Sequence, residues 1–93
     1  MDKKKLNKAR NKIDKIDNSI FYLIKERTKI VKYMLSLKKF KNQIVDHKRI
    51  KIILKKIRKK SLNNRVDPKI TNRIWRAMIW SYVDYQKRKF YKK

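Results

Sequence analysis

The chain has 93 residues, 31 of them Lys or Arg and only seven Asp or Glu, for a net charge of +24. It has no Cys, no Gly, one Pro and one His, which excludes disulfides, thiolate metal sites, metal sites built from several His of one chain, and a glycine-rich phosphate loop. No apolar run is long enough to span a membrane, and the basic start Met1-Asp2-Lys3-Lys4-Lys5 has no apolar stretch behind it, so it is not read as a secretory signal.

A chain of this length is expected to form one domain, residues 1–93, with no room for a fused second enzyme or a regulatory domain. The lack of Cys fits a reducing, cytoplasmic setting. The charge has two readings. One is a polyanionic partner, either nucleic acid or an anionic membrane face. The other is composition, because Lys outnumbers Arg 23 to 8 and is spread along the chain instead of being clustered. We favour the second, and under both the field steers small anions inward.

Helix 1 is expected over about Lys3 to Lys39. Its apolar positions are Leu6, Ala9, Ile13, Ile16, Ile20, Leu23, Ile30, Met34 and Leu37, at alternating steps of three and four. The position between Leu23 and Ile30 that continues this stripe is Arg27. A guanidinium on a buried face must meet an anion, either Glu26 or an Asp elsewhere, or a ligand. At 1.5 Å per residue the helix is roughly 54 Å long, more than the remaining residues can cover. Pairing with a second copy, as a homodimer, is the natural solution. The rival is a break at Asp17-Asn18-Ser19, where three poor helix formers could cap a second helix.

Lys39–Val45 reads as a loop and Asp46 as the N-cap of helix 2, about His47 to Lys60, whose apolar side is Ile50, Ile53, Leu54 and Ile57. Arg49 sits in its first turn, where a cation opposes the helix dipole. Ser61–Val66 reads as a second loop. Asp67-Pro68 then starts helix 3 by combining an N-cap acceptor with a preset φ, and the helix runs to about Phe90. It carries two apolar strips: Ile70, Ile74, Ala77, Met78 and Ser81, and Trp75, Ile79, Tyr82 and Phe90 with Gln86 among them. Gln86 is either a boundary residue at a fraying end or an amide held in a pocket as a neutral donor.

Arg27 and Lys38 are eleven residues apart, about 20° out of phase on one continuous helix, so they would share a face. An antiparallel partner would bring its own Arg10 to the same place. Arg27, Lys38, Arg49, Gln86 and a second-chain Arg10 around one cavity would suit a small dicarboxylate, because guanidinium groups bind carboxylates bidentately.

Five motifs in order carry a resemblance over about Leu6 to Phe90. They are Ala9-Arg10-Asn11-Lys12-Ile13-Asp14-Lys15-Ile16-Asp17, Leu23-Ile24-Lys25-Glu26-Arg27, Lys38, Val45-Asp46-His47-Lys48-Arg49, and Gln86. The chain resembles the all-helical (AroQ-class, type II) chorismate mutase family. The resemblance implies an all-α, intertwined homodimer of three-helix chains and conversion of chorismate to prephenate, with no cofactor and no metal. It implies that Arg27 and the partner's Arg10 bind the substrate carboxylates. Lys38 and Gln86 would then hydrogen-bond the ether oxygen, Arg49 would line the site, and backbone near Asp46 would hold the ring hydroxyl. Two positions depart from the mutase pattern. Ile50 stands where mutases usually carry Glu, and Tyr82 where many carry Ser or Thr. Both resemble isochorismate-pyruvate lyases, as does the aromatic run Ile79-Trp80-Ser81-Tyr82. That group works on the same fold and releases salicylate and pyruvate. Mutase is placed first and lyase second. A member without activity and with a regulatory role is a further alternative. A basic nucleic-acid-binding helical protein, with Trp75 and Trp80 stacking on bases, is the distant one. The helix 3 aromatics have core-like spacing, so no specific nucleic-acid or membrane partner is expected.

Overall fold

The structure is a computed structural model and describes residues 2–90, so the two ends of the expected 1–93 domain lie outside the described residues. Among these residues there are three α-helices and no strand: α1 (Lys3–Ser36), α2 (His47–Asn63) and α3 (Pro68–Lys89), with a single 3-10 turn at Lys41–Gln43. The all-α, three-helix expectation holds. By their contacts the residues divide between Tyr33 and Met34 into two compact units.

The first unit consists of α1 up to Tyr33. Asp2 caps the helix, its carboxylate accepting from Lys5 N at 3.2 Å. No break occurs at Asp17-Asn18-Ser19. The Ser19 hydroxyl donates back to the Lys15 carbonyl at 3.3 Å, so it satisfies a bond inside the helix and caps nothing. The stripe positions Ile13, Ile16, Ile20, Leu23 and Ile30 are all exposed, Leu23 by 64%. The 34-residue helix, about nine turns, contains no Gly or Pro, and its three-and-four spacing places these side chains in one row.

The second unit is built on the α2–α3 hairpin, whose helices pack on each other. On α2 the inward residues are Ile50, Ile53, Leu54 and Ile57, as the spacing predicts. The helix does not stop at Lys60 but continues to Asn63, so the expected Ser61–Val66 loop is shorter. Ser61 extends the 50, 54, 57 rhythm by four residues and is buried. Its hydroxyl donates to the Ile57 carbonyl at 2.6 Å and lies 2.7 Å from the Thr71 hydroxyl of α3, so the polar side chain costs the core little. At the end of α2 the Val66 amide donates to the Ser61 carbonyl at 2.9 Å, and Arg65 takes φ 56°. That left-handed position normally goes to glycine, and this chain has none.

Asp67 caps α3 as expected, accepting from Lys69 N at 2.9 Å with Pro68 at the first helical position. The two strips of α3 have different fates. Trp75, Ile79, Tyr82, Val83, Gln86 and Phe90 are buried or half-buried. Ile70 and Ile74 on the other strip are more than half exposed, at 55% and 53%. The face that packs is therefore narrower than the sequence suggests.

Candidate active site

The candidate site begins where α1 ends. The helix stops at Ser36 instead of near Lys39. Its last turn tightens, with Leu37 N donating to Met34 O and Lys38 N to Leu35 O, both at 3.1 Å. These i→i−3 bonds carry the chain off the helical spiral. Lys38 is thus not a helical residue, and the phase argument that put it on one helix face with Arg27 does not apply.

The segment after Lys38 is fixed by one amide and one aliphatic side chain. Gln43 Oε1 accepts from Lys39 N at 2.8 Å and from Phe40 N at 2.9 Å. Next to it, Ile44 is only 5% exposed and anchors the turn in the core of this unit. Periodicity in the sequence points to neither residue. Gln43 lies in a stretch with no periodicity, and only its place three residues after Phe40 hints at a capping role.

So held, Lys38 reaches α3. Its Nζ donates to Gln86 Oε1 at 2.6 Å, a short charge-assisted bond. Gln86 Nε2 donates to the Tyr82 carbonyl one turn earlier, at 3.2 Å. Gln86 is 7% exposed, so it is a buried amide and not a residue at a fraying end. The two bonds also decide which way the amide faces, because an ammonium can only donate and a carbonyl can only accept. Three N–H groups on Lys38 and two on Gln86 leave protons beyond the one each that these bonds use.

Electrostatics follow from the same packing. Burial pushes the Lys38 pKa below the ordinary lysine value, and the Asp46 carboxylate opposes that shift without cancelling it. Asp46 itself is the N-cap of α2 and accepts from Arg49 N at 3.0 Å. Arg49 and Ile50 follow in the first turn, Arg49 exposed and Ile50 half-buried.

The structure thus brings Lys38 and Gln86 together, with the Tyr82 backbone behind the amide and Asp46 in electrostatic reach. Arg49 and Ile50 belong to the same unit, on the turn that Asp46 caps. Arg10 and Arg27 belong to the first unit, on α1, where Arg10 is exposed and Arg27 half-buried. Glu26, considered as a partner for Arg27, receives Lys29 Nζ at 3.3 Å. The described residues contain no group of three or more His, Cys, Asp or Glu that could hold a metal. No helix among them is long and apolar enough to cross a membrane. The arrangement offers fixed cationic and neutral donors. It can orient and stabilise an anionic substrate without covalent chemistry.

The family model for chorismate mutase type II matches residues 9–87. The match spans both the α1 stripe and the Lys38–Gln86 pair, and the chain belongs to that family. No curated protein and no solved structure matches it significantly.

Proposed function

We propose, from membership of the chorismate mutase type II family and from the Lys38–Gln86 pair, that the chain rearranges chorismate to prephenate. The pair is the observation that carries this reading. The reaction is a unimolecular [3,3] shift in which an ether C–O bond breaks as a C–C bond forms. It needs no base or nucleophile. It needs the enolpyruvyl arm held over the ring and donors aimed where the ether oxygen gathers charge. Lys38 Nζ and Gln86 Nε2 would supply those donors with their uncommitted N–H groups, so substrate adds bonds without dismantling the pair. Arg27, Arg49 and a partner's Arg10 would clamp the carboxylates.

The same reading requires a homodimer. Its support is the row of exposed aliphatic side chains on α1, which water would cover at a cost of about 25 cal/mol per Å² of apolar surface. A chain without Cys suits a reducing cytoplasm, where chorismate would be met.

A second reading, isochorismate-pyruvate lyase, is favoured by one feature. Position 50 is a half-buried Ile, so the first turn of α2 offers no carboxylate to a ring hydroxyl. Parallel assays separate the two: prephenate from chorismate supports the mutase, and salicylate with pyruvate from isochorismate supports the lyase. If neither substrate turns over, both readings fail.

A further inference from the structure

A second basic site lies on the α2–α3 hairpin and shares no residue with the Lys38–Gln86 pair. A half-open cavity of about 380 Å³ is lined by Lys55 and Arg58 of α2 and by Lys69 and Arg76 of α3, over a floor that includes Leu54 and Pro68. Two observations set it apart from the general positive charge of the surface. First, four cations from two helices face one cavity whose lining has no acidic residue. The ion pairs Lys29–Glu26 and Arg88–Asp84 involve none of the four, and the nearest carboxylate in sequence, Asp67, is engaged by Lys69 N at the start of α3. Second, one of them is positioned: Arg76 Nε donates to Asn72 Oδ1, a lining residue one turn earlier, at 3.2 Å. That bond uses the Nε–H and leaves the terminal N–H groups to a ligand. The N-terminal amides of α3 are not the receptor. Asp67 accepts from Lys69 N with its side chain and from Ile70 N and Thr71 N with its carbonyl.

We infer that this cavity binds a small molecule carrying two phosphoryl groups. Four cations lining one cavity favour a compact ligand of high negative charge. Two phosphoryl groups, each about −1.5 to −2 at pH 7, supply that charge in a compact volume. Arg58 and Arg76 give the planar forks that match phosphate oxygens, and Lys55 and Lys69 give point charges. The site is small and half-open, which suits a metabolite better than an extended nucleic-acid strand.

The test is calorimetric titration of the full chain with pyrophosphate, and with orthophosphate at equal ionic strength. Pyrophosphate is expected to saturate one site per chain and to bind at least about tenfold more tightly than orthophosphate. The double variant R58Q/R76Q is expected to lose about tenfold or more in affinity, since each lost charge-assisted contact is large on this scale. The control K4Q/K8Q removes the same charge from exposed positions of α1 and is expected to stay within about twofold. Circular dichroism checks that both variants fold. Equal losses in the two variants, or no saturable binding, would overturn the inference by reducing the site to diffuse charge. Binding of a 20-nucleotide single strand that depends on Arg58 and Arg76, with none of pyrophosphate, would overturn it in favour of nucleic acid.

Discussion

Lys38 Nζ donates to Gln86 Oε1 across 2.6 Å, tying the residue two places past the end of α1 to the last turn of α3. The bond joins a cation to a buried neutral amide, with no carboxylate as partner. The bond itself neutralises no charge, and it leaves N–H groups of the ammonium for a ligand.

Removing either member should cost transition-state stabilisation more than substrate binding. Lys38→Met and Gln86→Leu are each expected to lower kcat by about 10²–10³, the range for one preorganised donor, with smaller changes in KM. The double variant should lose less than the product of the two, because the residues act as a unit. Steady-state kinetics of the three variants check this, and equal effects on kcat and binding would show the pair to be structural.

The depressed pKa of Lys38 gives activity and stability opposite pH signs. Activity needs the ammonium, so its alkaline limb should fall below the ordinary lysine range. The folded state holds that proton less tightly than the unfolded state does. The Lys38 contribution to stability should therefore rise as pH climbs from the folded to the ordinary value, and should be lost as pH falls back through it. Denaturant unfolding of the wild type against Lys38→Met across alkaline pH isolates that contribution. In Lys38→Arg, whatever activity survives should have no such limb, because arginine does not titrate there.

The Ser61–Thr71 hydroxyl pair joins α2 to α3 at 2.7 Å in a part-buried setting. Ser61→Ala should destabilise the fold by about 1 kcal/mol, the usual net value of one intramolecular hydrogen bond. Urea titration at fixed protein concentration measures it, the concentration being held because assembly shifts apparent stability. No change in the midpoint would show that water replaces the bond.

The exposed α1 stripe should respond to charge at its centre. Ile20→Glu places a carboxylate in the row formed by Ile13, Ile16, Leu23 and Ile30, and is expected to shift a dimer to monomer in sedimentation velocity. A wild-type chain that sediments as a monomer at micromolar concentration contradicts the dimer outright.

Legibility of the fold in the sequence follows the strength of the local chemistry. Asp46 and Asp67-Pro68 mark their helix starts correctly, because a short acceptor at the N-cap is a local requirement. Helix ends are harder to read here. Without glycine, α2 closes through a left-handed Arg65 that no propensity announces, and α1 closes through two i→i−3 bonds in a stretch of ordinary helix formers. Lys38 and Gln86 stand out as polar residues at apolar positions. Their contact does not, because it depends on where α1 stops and on how Gln43 and Ile44 pin the turn. The unpaired strip Ile70 and Ile74 looks the same in sequence as the packed strip beside it, since periodicity reports amphipathicity and not which partner is present.

Mixing the purified chain with chorismate and quantifying prephenate by chromatography, in parallel with the Lys38→Met variant, decides whether Lys38 drives a chorismate rearrangement. Prephenate should form well above the spontaneous rate, and the substitution should reduce it about 10²–10³-fold. Prephenate at the spontaneous rate only, or a Lys38→Met variant as active as the wild type, would contradict that role of Lys38.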